Sequence, residues 1–421
     1  MRYYSTRDKN LTASFSHAAL SGLAPDGGLY VPQEIPSYPA AVKSSLGKMD
    51  YRDIAYETIL PWVKDEIPSS VLGELCYDSY SFGAPLVEAG DRMVLELFHG
   101  PTAAFKDFGA RFMARAFSYL RRGESRALKI LVATSGDTGG AVADGFFGVE
   151  GINVTVLYPF GRVTPLQEKQ IAGLGGNISA LAVDGSFDDC QALVKKAFTD
   201  ADLCRQHNLS SANSINISRL IPQAAYYSSS GSVKPNSLIS VPSGNFGNLT
   251  AALYAFKMGA PIGRFIAATN INKTVPDYLQ SGDYVTRISQ ATLSNAMDVG
   301  APSNFERMTA HFSWREMKEL MLGASVTDEE TKETIASVFS VHAYVLDPHT
   351  AVGWRAADKL KNYVSEGKLI IVSTAHPAKF SDTVEPITGS IPVPPSLQNA
   401  MERKVVSKNI PADFEALRES L

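Results

Sequence analysis

The feature that most constrains the fold is a regular alternation of short apolar runs with helical patterns through the middle of the chain. The apolar runs lie at 129–133, 152–157 and 177–183. The helical patterns that follow them lie at 138–147, at 165–172 and from Ser186 onward. Such alternation predicts a parallel sheet with right-handed crossover connections. A second block has strands at 237–241, 264–268 and 369–372 and a helix at 247–258. The sequence therefore predicts an α/β fold with two open sheets flanked by helices.

The segments outside this alternation divide the chain into three expected domains. Residues 1–90 carry two helical patterns separated by a Pro-Asp-Gly-Gly turn, which indicates an N-terminal cap domain. Residues 126–215 form the expected small α/β domain, and residues 91–125 and 216–421 form the expected large domain. Two further stretches break the alternation: 210–217 is expected to be irregular, and 272–345 is expected to be mostly helical.

Composition and charge exclude several classes of protein. The 421 residues are 45% hydrophobic and 19% charged with a formal net charge of −4, which favours neither nucleic acid nor an anionic membrane as a partner. No apolar run reaches the ~18 residues of a membrane-spanning helix, and MRYYSTRDKN lacks the apolar core of a signal peptide. The three cysteines lack metal-ligand spacing, so we expect core thiols, no metal and a cytoplasmic location.

One stretch, FHGPTAAFKDFGARFMARAF at 98–117, joins a loop to an amphipathic helix. Apolar residues recur at helical spacing from Phe108 to Leu120, so this helix is expected to pack firmly on a core. Lys106 lies where the loop becomes the helix. Most lysines are solvated surface groups. Apolar surroundings and the positive end of a helix, however, both favour the uncharged, nucleophilic amine. Position alone leaves both interpretations open.

The first of three polar loops follows the strand at 129–133 and reads Thr-Ser-Gly-Asp-Thr-Gly-Gly. A glycine-rich turn between a strand and a helix exposes backbone N–H groups that bind anions. A plain turn would not explain three hydroxyl groups and a carboxylate within five residues. We therefore expect an anion site built from Thr134, Ser135, Gly136, Asp137 and Thr138.

The second polar loop follows the strand at 237–241 and consists of Ser243, Gly244, Asn245, Phe246, Gly247 and Asn248. Its place between a strand and a helix suits a phosphate cradle, although it matches neither the dinucleotide fingerprint nor the P-loop. Because no lysine follows the second glycine, the pattern favours one permanently bound phosphate over nucleotide chemistry. A turn with a capping asparagine is the alternative interpretation.

The third polar loop follows the strand at 369–372. Its Thr374 hydroxyl could hydrogen-bond a ring nitrogen at the edge of the sheet without imposing a charge. His376 and Lys379 are also candidates, but Pro377 marks a helix start, and surface or packing roles stay open for both. A lysine, a phosphate cradle, a ring-facing hydroxyl and a second anion loop together fit pyridoxal phosphate (PLP) as the cofactor.

Several long motifs follow one another along nearly the whole chain: MRYYSTRD, PDGGLYVP, LFHGPTAAFKDFGARF, ATSGDTGGA, VDGSFDDCQ, NSINISR, SGNFGN and STAHPAKF. In this order they resemble the threonine synthase family, in its bacterial and fungal branch. The resemblance implies the tryptophan-synthase-like PLP fold (fold type II), with the large domain as the PLP-binding domain. It also implies conversion of O-phospho-L-homoserine and water to L-threonine and phosphate, the last step of threonine biosynthesis.

The resemblance further implies roles for individual residues. Lys106 matches the catalytic lysine that holds PLP as a Schiff base, and Thr374 matches the residue that faces the pyridine nitrogen. The loop 243–248 matches the cofactor-phosphate site. Asp137 lies beside the cofactor's 3′-oxygen, where many relatives of the fold have asparagine, so its role stays open. The substrate is expected to bind to Thr134, Ser135, Gly136, Thr138, Asn213, Ser214 and Arg219.

Alternative functions and sites remain open. Another PLP lyase of the same fold, such as a serine/threonine dehydratase or a β-replacing synthase, would not need a second phosphate site. A non-catalytic amino-acid-binding regulator would not need Lys106. If Arg219 does not hold the substrate phosphate, Lys273 or the segment 304–307 is the next candidate. The expected partner is the small-molecule substrate, and the chain is expected to act as a monomer or homodimer.

Overall fold

The computed structural model describes residues 1–363 and 369–421 and has an α/β fold with three sheets. Two of these are the predicted open sheets, and the third lies in the cap. The strands begin and end close to the predicted positions because continuous apolar runs are what buried parallel strands require. Among the described residues, no helix combines the length and apolar character needed to span a bilayer.

The cap is built on a three-stranded antiparallel sheet. Its central strand, Tyr3–Ser5, pairs with Thr12–Ala13 on one side and with Tyr30–Pro32 on the other. Trp62 stacks on Tyr254 with ring centroids 5.6 Å apart, which joins the cap to the rest of the molecule. The helices of the cap are Phe15–Ser21, Ala40–Ser45, Tyr51–Val63 and Ser69–Ser79.

The larger open sheet has six strands, in the spatial order Met321–Ser325, Arg264–Thr269, Leu238–Pro242, Leu369–Ser373, Arg92–Glu96 and Leu86–Ala89. Neighbours are parallel except at the last pair, where Leu86–Ala89 forms an antiparallel edge. The α-helices that connect or follow these strands are Lys106–Leu120, Ile217–Leu220, Ala224–Val233, Gly247–Met258, Thr274–Ser281, Phe305–His311, Trp314–Leu320, Asp328–His342, Pro348–Lys359 and Ser381–Thr388.

The smaller open sheet has five parallel strands, in the spatial order Lys408–Pro411, Ile178–Asp184, Ile152–Pro159, Leu128–Ala133 and Leu209–Ser211. The predicted alternation of strands and helices is therefore confirmed in this part of the chain. The helices between its strands are Asp137–Phe146, Pro165–Ala172, Phe187–Thr199 and Ala201–His207.

The C-terminal segment departs from the expected domain boundaries. We expected 216–421 to belong to the large domain, but the strand Lys408–Pro411 pairs with Ile178–Asp184 of the smaller sheet. Phe414 and Leu417, from the last helix, are buried in the apolar cluster of that sheet. Burial of these two side chains accounts for the association of the C-terminal segment with the smaller sheet. The helices that flank the strand are Pro395–Met401 and Phe414–Arg418.

Two further strands lie where none is expected. Met321–Ser325 forms an edge of the larger sheet inside the stretch expected to be mostly helical. Leu209–Ser211 pairs with the strand Leu128–Ala133 at the start of the segment expected to be irregular. Both are short and end in small polar residues, so pairing with a long buried neighbour, rather than local propensity, determines their conformation.

The helix Lys106–Leu120 begins at the predicted junction of loop and helix and has the predicted apolar face. Phe108, Phe112 and Phe117 are completely buried in the main core. This packing fixes the position of Lys106 at the first residue of the helix. Because parallel strands end at the same edge of a sheet, the polar loops that follow them are brought together near this point.

Candidate active site

A cleft at the carboxyl ends of the strands gathers the predicted site residues. All of them line it except Gly136, which lies in the same loop as its neighbours. The loops follow strands of both open sheets, and Lys106, the first residue of its helix, lines the same cleft. The predicted residues that line the cleft are Lys106, Thr134, Ser135, Asp137, Thr138, Asn213, Ser214, Arg219, Ser243, Gly244, Asn245, Phe246, Gly247, Asn248 and Thr374.

The Lys106 side chain is 14% exposed and lies in an environment that favours the free amine. Burial lowers the pKa of Lys106 to about 8; Asp137 opposes this effect, whereas Arg219 and Lys379 add to it. An amine with this pKa is partly uncharged near neutral pH and can act as a nucleophile. These surroundings support the interpretation of Lys106 as a reactive amine rather than a solvated surface lysine.

Asp137 is buried between two lysines at the start of its helix. Its Oδ1 lies 2.8 Å from Lys379 Nζ, and its Oδ2 lies 4.0 Å from Lys106 Nζ. Gln167 Nε2 also donates to Oδ1, at 3.0 Å. Burial opposes the charged form, but Lys379 and Lys106 outweigh it and hold the pKa of Asp137 well below its usual range. Asp137 is therefore an ionised acceptor.

Lys379 and His376, which the sequence left undecided, differ in the structure. The Lys379 side chain is 0% exposed and belongs to the site through its ion pair with Asp137. His376 Nδ1 instead accepts a hydrogen bond from Ala378 N at 3.2 Å and caps the 3-10 helix Pro377–Phe380. Burial lowers the pKa of His376 to about 4, so its ring is neutral at physiological pH.

Thr134 shapes the first polar loop. Its Oγ1 accepts hydrogen bonds from Gly136 N at 2.9 Å and from Gly139 N at 2.8 Å. This internal role was not part of the prediction that Thr134 binds the substrate. Gly136 has a φ of +136°, and a methyl group there would collide with the Gln167 side chain. Only glycine therefore suits this position.

The second polar loop, 243–248, begins just after the strand Leu238–Pro242 and runs into the helix Gly247–Met258. Phe246 has a left-handed backbone with a φ of 58°. A bulky residue in this conformation is strained, and such strain clusters at ligand-binding sites.

Gly244 allows a close approach of two backbones in this loop. A methyl group at Gly244 would lie 2.7 Å from the Ala296 carbonyl oxygen and 2.7 Å from Met297 Cα. Backbone atoms cannot move aside as a flexible side chain does, so the loop requires glycine here. At Gly247 the same group would meet Asn304 Nδ2 at 3.3 Å, which is a milder conflict.

Two buried donors in the cleft have no hydrogen-bond partner among the described residues: Asn248 Nδ2 and Arg219 Nε. Asn248 is held in place because its Oδ1 accepts from the hydroxyls of Tyr226 and Tyr227, at 2.6 and 2.7 Å. A buried donor without a partner costs free energy unless a ligand fills the place. Both donors therefore favour an anionic or strongly polar ligand.

The predicted substrate-phosphate segment is tied to its neighbours by amide side chains. Asn213 uses both ends of its amide on the Ala133 backbone, accepting from N at 3.3 Å and donating to O at 2.7 Å. Ser214 Oγ accepts from Asn245 Nδ2 at 2.6 Å, which leaves the Ser214 hydroxyl proton for a ligand. Asn213 thus positions the segment, and Ser214 offers the donor.

Arg219 lies in the short helix Ile217–Leu220 and is 1% exposed. Its Nη1 donates to the Ala212 carbonyl oxygen at 2.7 Å. Burial lowers the pKa of Arg219 to about 10, so the guanidinium is still charged at neutral pH. A buried cation with an unfilled donor suits a phosphate, which accepts two hydrogen bonds from one guanidinium.

The alternative phosphate sites are less suitable. Lys273 is about half exposed and pairs with Asp277 at 3.5 Å on the surface. Arg307 is completely buried, but its guanidinium is already used as a donor within the protein. The acceptors of Arg307 are the carbonyl oxygens of Tyr30, Ser214 and Ile215 and the Oδ1 of Asn304. Arg307 therefore stabilises the backbone of the Ser214 segment.

Thr374 is joined to the turn that precedes Lys106. Phe105 N donates to the Thr374 carbonyl oxygen at 2.9 Å, and Ala104 forms an isolated bridge with Ala375. Thr374 itself is 6% exposed. Thr374 is expected to face the ring nitrogen of the cofactor, and Lys106 is expected to bind the same cofactor. The two residues therefore lie on backbone segments that are hydrogen-bonded to each other.

Comparison with known proteins decides the family. Three family models match successive parts of the chain: threonine synthase N terminus at 2–80, pyridoxal-phosphate dependent enzyme at 93–375, and threonine synthase, C-terminal at 350–420. The threonine synthase of Escherichia coli strain K12 is 43% identical over 429 residues, which cover 100% of this chain and 99% of the relative. The chain belongs to the threonine synthase family.

Solved structures of threonine synthases agree with this assignment. The crystal structure of the Escherichia coli enzyme has a TM-score of 0.93 at 42% identity and covers 100% of this chain and 99% of its own. PLP-bound threonine synthase from Brucella melitensis has a TM-score of 0.91 at 36% identity, with 100% and 98% covered. The predicted PLP fold of type II is confirmed, and the chain is a PLP-dependent enzyme rather than a non-catalytic regulator.

The residues of the cleft fit the PLP of threonine synthases. Lys106 offers an amine with a lowered pKa, and the strained loop 243–248 lies at a helix start, where N–H groups bind phosphate. Asn248 Nδ2 is a buried donor without a partner among the described residues. Thr374, which is predicted to face the ring nitrogen, lines the same cleft and carries no charge. Together these features meet the needs of an aldehyde, a phosphate and a pyridine ring.

One buried pair at this threonine synthase site was not predicted. His349 lines the cleft, and its Nδ1 lies 2.9 Å from Asp347 Oδ1. His349 Nε2 accepts from Ala296 N at 3.2 Å, so the ring supports the segment that packs on Gly244. The signal in the sequence was Asp-Pro-His at a helix start, where Asp347 accepts from the His349 and Thr350 N–H groups.

Proposed function

We propose that this threonine synthase converts O-phospho-L-homoserine and water to L-threonine and phosphate through the residues of the cleft. The observation that carries the proposal is a second set of anion-binding groups beside the cofactor-phosphate loop. Ser214 and Arg219 supply these groups, and the 2.6 Å hydrogen bond between Asn245 and Ser214 makes the two sets neighbours. A substrate that carries its own phosphate needs such a site.

Lys106 is the proposed attachment point for PLP and the proposed base. When bound, PLP supplies an electron sink for the carbanion formed beside the amino group. The Lys106 amine, displaced by the amino group of the substrate, takes the Cα proton and moves a proton from Cβ. The γ-phosphate then leaves with its bridging oxygen and takes up a proton, a proton is returned at Cγ, water adds its hydroxyl at Cβ, and a proton is returned at Cα.

The two ends of the substrate are proposed to bind in separate loops. Ser135, Gly136 and Thr138 hold the carboxylate with N–H and hydroxyl donors at the start of the helix Asp137–Phe146. Ser214 and Arg219 hold the phosphate and stabilise it as it leaves, with help from Thr138. Asn213 fixes the phosphate segment through its two bonds to Ala133, and Thr134 shapes the carboxylate loop.

The cofactor is proposed to be held at three places besides Lys106. The loop 243–248 binds its phosphate, Thr374 faces its ring nitrogen, and Asp137 lies at the 3′-oxygen. A neutral hydroxyl partner would leave the ring nitrogen unprotonated, which would affect how long carbanion character resides on the ring. Because Asp137 is an ionised acceptor here, it cannot donate to the 3′-oxygen as an asparagine amide does.

The test is the product analysis of purified holoenzyme given O-phospho-L-homoserine. We expect equal amounts of phosphate and L-threonine, and we expect L-serine and L-threonine to be poor substrates. A serine/threonine dehydratase of this fold would instead release ammonia and an oxo acid from those amino acids. Lys106→Ala should abolish turnover while the circular dichroism spectrum stays that of the folded protein.

The protein is proposed to be cytoplasmic. It is proposed to act as a monomer or a homodimer. Support for a reducing compartment comes from Cys76, Cys190 and Cys204, which are all free thiols. Burial raises the pKa of Cys76 and of Cys190 to about 12, so neither suits thiol chemistry. Sedimentation at several protein concentrations would distinguish the two oligomeric states.

A further inference from the structure

Lys379 is a buried charged residue at the site to which the proposed reaction gives no task. It lies on the 3-10 helix Pro377–Phe380, and its side chain is 0% exposed. Its ammonium group lies 2.8 Å from Asp137 Oδ1 and donates at 2.8 Å to the Thr102 carbonyl oxygen. Lysine is almost never buried this completely without partners, and here it has two.

Asp137 binds its two lysines unequally. The 2.8 Å distance to Lys379 is that of a charge-assisted hydrogen bond, whereas the 4.0 Å distance to Lys106 is too long for one. Gln167 Nε2 adds a further donor to the same Oδ1 atom at 3.0 Å. The carboxylate is therefore engaged by Lys379 and Gln167, and its pull on Lys106 is weakened.

On the basis of the proposed attachment of PLP to Lys106, we propose that Lys379 is a positioning residue for this reaction. Lys379 holds the Asp137 carboxylate in an ion pair and so leaves the Lys106 amine free to bond the cofactor aldehyde. Without Lys379, Asp137 would pair with Lys106 and favour its charged form, which is not a nucleophile.

The other charged or titratable residues that line the cleft or follow Lys106 in the chain are Arg219, Lys195, His349 and Asp107. Lys195 is a cation like Arg219, and the His349 ring is engaged by Ala296 N at 3.2 Å and Asp347 Oδ1 at 2.9 Å. Arg219 is a cation whose Nη1 bonds to a backbone carbonyl oxygen. Asp107 uses its carboxylate on Thr102, accepting from N at 2.9 Å and from Oγ1 at 2.6 Å. Asp137 is thus the carboxylate that acts on Lys106.

The test measures how fast apoenzyme attaches added PLP as the pH is raised, with borohydride trapping and peptide mapping of the label. In the wild type, the rate should rise around pH 8, because burial lowers the pKa of Lys106 to about 8. The pH at which the attachment rate reaches half of its maximum is called the midpoint. In Lys379→Gln, whose neutral amide can still donate to Thr102, this midpoint should rise by about one pH unit or more. The attachment rate at pH 7 should then fall about tenfold, since one pH unit is a tenfold change in free amine.

Two further variants separate charge from packing. Lys379→Arg retains a cation for Asp137 and should keep the wild-type midpoint. Lys359→Gln is the matched control, because Lys359 also pairs with a carboxylate, Glu330 at 2.7 Å, but does not line the cleft. It should leave the midpoint unchanged.

Several outcomes would overturn this role of Lys379. An unchanged midpoint in folded Lys379→Gln would contradict the role of Lys379. If the label were still on Lys106, the proposed attachment site would stand. A wild-type midpoint near the ordinary lysine value of about 10.4 would also contradict the role of Lys379, and this measurement needs no variant. A label on any other lysine would overturn both the role of Lys379 and the attachment site itself.

Discussion

The Asn245 amide donates a 2.6 Å hydrogen bond to the Ser214 hydroxyl oxygen, which joins the proposed cofactor-phosphate loop to the proposed substrate-phosphate segment. Asn245 in turn accepts from Ser303 N at 2.5 Å, and Arg307 donates to the Ser214 carbonyl oxygen at 3.4 Å. The two anion sites therefore share one hydrogen-bonded support.

Ser214→Ala should weaken substrate binding without loss of cofactor. The variant removes one hydroxyl donor to the substrate phosphate, worth roughly 0.5–1.5 kcal/mol. We expect KM for O-phospho-L-homoserine to rise about threefold to tenfold, with the cofactor absorbance per chain unchanged. Ser232→Ala is a suitable control, since in the described part of the chain the Ser232 hydroxyl donates to the Ser228 carbonyl oxygen of its own helix and does not line the cleft. Equal KM values in Ser214→Ala and the wild type would contradict the assignment.

Arg219→Ala should have a larger effect because a charged donor is lost. Such a hydrogen bond is worth roughly 1.5–3 kcal/mol, so kcat/KM should fall by about tenfold to a hundredfold. Arg219→Lys should recover only part of this, because the two-pronged guanidinium is lost. Arg205→Ala serves as control, because the Arg205 side chain is 75% exposed and does not line the cleft. Wild-type kinetics in Arg219→Ala would place the substrate phosphate elsewhere.

Gly244→Ala should loosen the cofactor site more than it affects folding elsewhere. The new methyl group would lie 2.7 Å from the Ala296 carbonyl oxygen, so the loop must shift. Overpacking of this kind costs about 1–3 kcal/mol, so the dissociation constant for PLP should rise at least about fivefold. Gly73→Ala is the control, because among the described residues a methyl group there would meet no atom within 4 Å beyond its own stretch of helix. Equal PLP retention in both variants would show that Gly244 is not at the cofactor.

Thr374→Asp should change the spectrum of the bound cofactor. A carboxylate beside the ring nitrogen favours the protonated pyridine, which the neutral hydroxyl does not. We expect a shifted absorption band and a changed ratio of L-threonine to side products, whereas Thr374→Ser should resemble the wild type. If the absorption and the products of Thr374→Asp both match the wild type, Thr374 is not beside the ring.

The sequence predicted those parts of the site that are local. A continuous apolar run followed by a polar glycine-rich turn marks a strand end, so the loops at Thr134–Thr138 and Ser243–Asn248 and the residue Thr374 could be found. The start of the helix at Lys106 could also be predicted from nearby residues, because the aromatic residues that follow it recur at helical spacing and are buried.

The parts that the sequence did not predict depend on partners far apart in the chain. Lys379 is indistinguishable from a surface lysine until the fold brings Asp137 to it. The strand Lys408–Pro411 has no apolar run of its own and is a strand because Ile178–Asp184 pairs with it. His349 gained its role through the Ala296 backbone. In each case tertiary contact, rather than local pattern, decided the outcome.

The most direct test of the central claim is the fate of oxygen when holoenzyme turns over O-phospho-L-homoserine in water enriched in oxygen-18. If phosphate leaves with its bridging oxygen and water adds at Cβ, the label should enter the hydroxyl of L-threonine and be absent from the released phosphate. Label in the phosphate, with homoserine as the other product, would show simple hydrolysis of the phosphate ester and would contradict the proposed function.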